Sequence, residues 1–270
     1  MKYPIQKIRF RKKRQKKPRK PIPRIVIPSF FTLMNLFCGF LSIIMVAEGN
    51  LIFGAWLIVI AALFDGLDGF MARLANATSE FGIELDSISD VVSFGVAPGF
   101  LIYTVFLNEL AIIGIILSAL PPVCGAIRLA RFNVDAKYAT YDFYNGLPIP
   151  VQAVMLSSFY LTFSGRMEWF SGFEHGVLSV ILPIIILLSF LMVSTIPFDK
   201  LPRFDKESIR KYKNRLILFA VYILIIVIFQ DLGLMIAFTA FILKGLVLGL
   251  YVFWKRAFTD EPEPYESPLQ

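Results

Sequence analysis

The stretch from Phe64 to Asp90, FDGLDGFMARLANATSEFGIELDSISD, sets four aspartates at the junction of two apolar runs. Asp65 and Asp68 are three residues apart and Asp86 and Asp90 are four apart, so on a helix each pair shares one face. The apolar runs on either side, 50–72 and 87–108, each have about the 20 residues needed to cross a bilayer. The segment 74–85 between them therefore predicts an antiparallel return that brings the two pairs together. Four converging carboxylates repel one another, and a hard divalent cation with oxygen ligands, Mg²⁺ or Mn²⁺, relieves that repulsion and can clamp a diphosphate.

The rest of the chain fits a membrane setting. Hydrophobic residues make up 57% of 270 residues and the mean hydropathy is +0.68, which points to a multi-spanning membrane protein. Eight candidate spans are legible, at 25–48, 50–72, 87–108, 110–131, 149–165, 175–196, 215–231 and 233–254. They show no period-two alternation, so the expected fold is all-α, a polytopic transmembrane helical bundle and not a barrel. No removable signal peptide is expected. Cys38 and Cys124 lie inside predicted spans without a metal-ligand spacing, so neither a disulfide nor zinc is indicated.

Charge gives an orientation. Of 27 Lys and Arg, twelve lie in residues 1–24 and seven between Lys200 and Arg215. With eight spans, the positive-inside rule puts both clusters and both termini in the cytoplasm, with the acidic junction. Residues 1–24 contain no acid and four prolines, predicting a basic cytoplasmic arm that fixes topology and can hold anionic lipid. No nucleic-acid pattern accompanies it. The expected organisation is the arm at 1–24, a core at 25–197, a charged connection at 198–214, an added helix pair at 215–254 and a tail at 255–270. Lys244 falls mid-span, where a charge is costly, and is expected to reach along its helix toward the interface. His175, the sole histidine, carries no assigned chemistry.

Around the acids, Gly66, Gly69 and Ala72 leave a shallow strip, and Gly82 does the same one turn before Asp86. Such a strip suits a nucleotide. Arg73 can fork onto phosphate oxygens, and Ser79 can donate a hydrogen bond. The pattern Asp65-x2-Asp68-Gly69-x2-Ala72-Arg73-x8-Gly82-x3-Asp86-x3-Asp90 resembles the signature of the CDP-alcohol phosphatidyltransferases at every fixed position. In the first span, Pro28, Thr32, Asn35, Cys38 and Gly39 resemble that family's Pro-x3-Thr-x2-Asn-x2-Cys-Gly opening. The resemblance implies a six-helix catalytic core followed by two further transmembrane helices. It also implies a divalent metal pair on Asp65, Asp68, Asp86 and Asp90, with Asp90 as general base. Thr32, Asn35, Gly69, Arg73, Ser79 and Gly82 fall where the family meets the CDP-lipid, and a homodimer in the cell inner membrane is implied as well.

Ser93 to Pro98, Arg128 to Asn133, Asn145 to Pro150 and, more weakly, Met192 to Pro197 resemble the serine-accepting branch of that family. For that branch the implied reaction moves the phosphatidyl group of CDP-diacylglycerol to L-serine, giving phosphatidylserine and CMP. Arg128 and Arg131 are candidates for the serine carboxylate and Asn133 for its ammonium. Two alternatives stand beside this one. The same chemistry with glycerol 3-phosphate or an inositol phosphate predicts additional basic residues at the acceptor. A divalent-cation transporter predicts acids near mid-membrane on several helices, whereas these gather at one boundary.

Overall fold

The computed structural model describes residues 26–75, 79–135, 143–199 and 213–258. The basic arm, residues 200–212 of the charged connection and the tail from 259 lie outside the described residues, as do 76–78 and 136–142. Helix α1, Val26–Ala47, turns at Gly49 (φ 83°) into α2, Leu51–Ala75. The two cross closely because Gly54 has no side chain: a Cβ there would lie 3.2 Å from the Ser42 carbonyl oxygen. Ser42 Oγ also donates to the Gly54 carbonyl at 2.7 Å. This hydrogen bond ties two helices inside lipid, where apolar side chains supply no preference for one another over lipid tails.

Helix α3, Glu80–Asp90, is N-capped by Ser79 and continues through a π-helical turn, Val91–Val96. Helix α4, Ala97–Ile102, follows, then a second π turn, Tyr103–Leu107. The first π turn sets Ser93 against α1, where its Oγ donates to the Asn35 carbonyl at 2.9 Å. A Cβ on Gly39 would come within 2.5 Å of the Ser93 Cα, so this approach requires glycine. At Ala111 (φ 49°, ψ −128°) the chain doubles back into α5, Ala111–Asp135, which contains Pro121 and Pro122. Pro122 lacks the N–H that would bond the Ser118 carbonyl. That carbonyl faces Gly99, where a Cβ would sit at 2.7 Å. Gly95 similarly meets Pro122, at 2.9 Å from its Cα.

A short strand β1, Phe143–Asn145, leads through Gly146 (φ 83°) to α6, Ile149–Phe163, which is buried over nearly its whole length. Helix α7, Leu178–Val193, ends in β2, Pro197–Asp199, which pairs antiparallel with β1. The last element, α8, Lys213–Phe258, reverses at Gln230 (φ 51°, ψ −117°). The reversals at Ala111 and Gln230 use the same device. In each a glycine three residues on, Gly114 or Gly233, lies against the backbone of the preceding arm, at Leu107 or at Ile225 and Ile226.

Among the described residues, four stretches are long and apolar enough to cross a membrane: Pro28–Ala47, Leu51–Leu74, Glu80–Val134 and Ile217–Lys255. The last two are 55 and 39 residues long and contain the reversals, so the protein is an all-α polytopic membrane protein. Helices α6 and α7, 15 and 16 residues long, are short of the roughly 20 that span a bilayer. Helix α6 is shielded by its neighbours and has little lipid to match.

Gly39→Ala is expected to destabilise the bundle by about 1–3 kcal/mol, as overpacking against a fixed backbone does. Gly66→Ala, whose Cβ meets nothing within 4 Å, is not. Thermal unfolding of the two variants in detergent is the check.

Candidate active site

Asp65 and Asp68 stand on the last turns of α2, and Asp86 and Asp90 on α3. Asp65, Asp68 and Asp86 each offer a carboxylate oxygen, and these oxygens lie within 4.8 Å of one another. Asp68 Oδ2 and Asp86 Oδ1 are buried and have no hydrogen-bond partner. Unpartnered carboxylate oxygens gathered from two helices in an apolar bundle are what a hard divalent cation would neutralise, so the donor set fits a metal. Asp90 stands beside this trio. It is buried, lines the same large cavity as Asp65 and Asp86, and accepts a hydrogen bond from Asn35 Nδ2 at 3.1 Å on Oδ1. Because Asn35 also receives Ser93 through its carbonyl, α1 fixes both Asp90 and the π turn that follows it.

The carboxylates form the partition between two cavities. A smaller one, about 120 Å³, is lined by Thr32, Asp68, Gly69, Ser79, Gly82 and Asp86 among others. Of the six residues expected to meet the CDP-lipid, four line this recess and two do not. Thr32, Gly69, Ser79 and Gly82 line this recess. Asn35 lies behind it, on Asp90. Ser79 also accepts from the Gly82 N–H at 3.0 Å, so its oxygen is engaged as the cap of α3. Arg73 does not line the recess; its Nη1 lies over Gly69, 3.4 Å from where a Cβ would be.

The larger cavity, about 490 Å³, lies on the other side of Asp86. Asp65, Gly66, Asp90, Arg128 and Asn133 line it, against an apolar wall from α6 and α8. The glycine strip is thus divided, with Gly66 opening to one cavity and Gly69 to the other. Arg128 is buried, with its guanidinium carbon 5.8 Å from the Phe132 ring centroid. Asn133 Nδ2 donates to Ser87 Oγ at 2.9 Å, which carries the end of α5 onto α3 between the two acids.

Arg131, expected to meet the acceptor beside Arg128, does not line the cavity. Its Nη2 donates to the Val193 carbonyl at the end of α7. Three residues along an α-helix leave two side chains on one face, about 60° apart around the axis and a turn apart along it, and it is the end of α7 that takes the later arginine. The Asn145–Pro150 and Met192–Pro197 stretches join each other as well: Gly146 N–H donates to the Ile196 carbonyl and Leu147 N–H to the Leu191 carbonyl, both at 2.9 Å. Two site residues escaped the sequence analysis. Ser87 sits one turn before Asp90, and Lys244 lines the large cavity although its only sequence signal was a charge within a span.

The profile of the family described as CDP-alcohol phosphatidyltransferase matches residues 25–196. A CDP-diacylglycerol–serine O-phosphatidyltransferase of Helicobacter pylori (strain ATCC 700392 / 26695) is 34% identical over 237 residues, covering 87% of this chain and 96% of that one. The Bacillus subtilis (strain 168) protein of the same name is 36% identical over 184 residues, 67% of this chain and 93% of that one. An archaetidylserine synthase of Methanothermobacter thermautotrophicus is 39% identical over 183 residues, 67% and 71% of the two chains. With the profile spanning more than half its length and an aspartate cluster at the family's signature, this chain belongs to the CDP-alcohol phosphatidyltransferase family.

Proposed function

We propose that this protein transfers the phosphatidyl group of CDP-diacylglycerol to L-serine, giving phosphatidylserine and CMP, with the active site and both termini on the cytoplasmic face of the cell inner membrane. The observation that carries the reading is the large cavity, in which Asp90 shares walls with Arg128 and Asn133. A base, a carboxylate-binding cation and a polar amide are the groups that free serine requires. The serine-acting names of the relatives support the same acceptor.

On this reading the nucleotide lies along the smaller recess by Thr32, Gly69 and Gly82, with Arg73 reaching its phosphates from the rim. Asp65, Asp68, Asp86 and Asp90 would hold two divalent ions, Mg²⁺ or Mn²⁺, which would supply charge neutralisation for the diphosphate and the CMP leaving group. Asn35 occupies Asp90 Oδ1 and leaves Oδ2 to take the proton of the serine hydroxyl. The serine oxygen then bonds to the lipid-side phosphorus as the bond from that phosphorus to the CMP oxygen breaks. Arg128 holds the serine carboxylate and Asn133 its ammonium, while Arg131 positions the end of α5. The core is residues 25–197, and the helix pair at 215–254 is an addition to it. A basic arm holding anionic lipid and a homodimer complete the proposal.

Purified protein is expected to release CMP from CDP-diacylglycerol with serine, to stop in EDTA and to recover with Mg²⁺ or Mn²⁺. Release with glycerol 3-phosphate or inositol phosphate in place of serine would overturn the acceptor. Asp90→Asn should lower turnover by about 10²–10⁴-fold, the usual contribution of a general base, with CDP-diacylglycerol binding retained in a direct binding assay. Arg128→Ala should raise the serine KM, while Arg131→Ala should lower the unfolding midpoint because it releases the Val193 carbonyl. The opposite assignment in paired kinetic and thermal measurements would exchange their roles.

A further inference from the structure

Lys244 belongs to α8, beyond the residues that the family profile covers. Read along the sequence it is a cation in the middle of a span, and in three dimensions it stands elsewhere. Its neighbour Gly245 lies against the ring of Phe198 in β2, with no room for a Cβ. Phe241, one turn earlier, stacks on the same ring at 6.0 Å between centroids and 27° between planes. One turn later, Gly249 packs on Ile196, where a Cβ would lie at 2.7 Å. Strand β2 is paired to β1, and the end of α7 just before it receives Arg131. These contacts seat the second arm of α8 on the end of the bundle that carries the catalytic aspartates. There Lys244 lines the large cavity together with Asp65, Asp86, Asp90 and Arg128.

We propose that Lys244 is a specificity-determining residue that binds the carboxylate of the amino-acid acceptor together with Arg128, an inference that rests on the serine reading above. Three observations carry it. The cavity with Lys244 is the one that holds Asp90 and Arg128, whereas the recess proposed for the nucleotide contains neither cation. The glycine at 245 and the ring at 198 fix the helix against β2, and with it the place of Lys244 in the cavity wall. The remainder of α8's contribution to the cavity, Phe238 and Phe241 among it, is apolar apart from the Tyr222 hydroxyl, so Lys244 is the charged group this helix adds. Two cations facing one carboxylate distinguish an amino acid from an uncharged alcohol of the same size.

The test uses the full-length protein, two acceptors and up to three variants. Lys244→Met is expected to raise the serine KM on the order of ten-fold, the loss of one charge-assisted hydrogen bond, with the CDP-diacylglycerol KM unchanged. L-serinamide, which lacks the negative carboxylate, should be a poorer acceptor than serine for the parent protein and lose little further in K244M. If K244M does not fold, Lys244→Arg and Lys244→Gln decide the matter: arginine should keep the serine KM near the parent's and glutamine should not. An unchanged serine KM, a rise confined to CDP-diacylglycerol, or an altered Mn²⁺ requirement alone would overturn the assignment. A parent protein that ignores serine altogether would instead overturn the function on which it rests.

Discussion

Repulsion among carboxylates held within 4.8 Å of one another is the constraint around which this bundle is organised. Two like charges about 4 Å apart at an effective dielectric of about 20 repel by roughly 4 kcal/mol, a load that falls on the junction of α2 and α3 whenever these carboxylates are ionised together. Helix α1 supplies ties on both sides. Ser42 and Gly54 lock it to α2, and Asn35, Gly39 and Ser93 lock it to the chain just beyond α3. Asn35 serves both ends of the problem, since its amide steadies Asp90 and its carbonyl receives Ser93. A π turn immediately after a functional residue is a recurrent arrangement, and here it brings Ser93 and Gly95 to α1 and α5 respectively.

A second set of ties holds the side of the larger cavity. The stretches Arg128–Asn133, Asn145–Pro150 and Met192–Pro197 lie far apart in sequence, yet Arg131 bonds Val193, Gly146 bonds Ile196 and Leu147 bonds Leu191. Together with the β1–β2 pair they form a strap across the ends of α5, α6 and α7. Backbone groups outside helices must find partners when water is scarce, and the strap meets that demand with its own carbonyls. Residues that resemble one acceptor class can therefore act in two ways. Arg128 and Asn133 enter the cavity, whereas Arg131 and Gly146 hold the frame from which they enter.

Much of this was legible in the sequence because spans announce themselves by length and hydropathy, and acids within them are rare enough to stand out. The pairing of Asp65 with Asp68 and of Asp86 with Asp90 followed from helical periodicity. The split of the glycine strip did not, since periodicity gives the face of a residue and not the neighbours that divide the space beside it. The different fates of Arg128 and Arg131 depend on where α7 ends, a fact about packing between segments more than fifty residues apart. The reversals at Ala111 and Gln230 were readable only as gaps between spans. Neither residue type favours a positive φ, and the glycine that permits each reversal lies three positions later. Lys244 was misleading for a related reason. Its height in the bundle is set by Phe198 and Gly245, which no local pattern connects.

The partition of the site matches the proposed substrates as well as its charges. A nucleotide diphosphate lipid has a polar head that must lie along phosphate-binding groups and tails that must remain in lipid, while an amino acid is wholly polar and arrives from water. Neither cavity holds all four aspartates. Gly66 and Gly69, one turn apart on α2, open to separate spaces that meet at Asp86. The larger space is walled by α6 and by both arms of α8, whose Leu218, Tyr222 and Phe238 are apolar or amphipathic. Such a wall narrows the lateral approach from the bilayer and leaves the polar groups at one end. The appended hairpin thereby walls the larger cavity of a core whose family match ends at residue 196, before the hairpin begins.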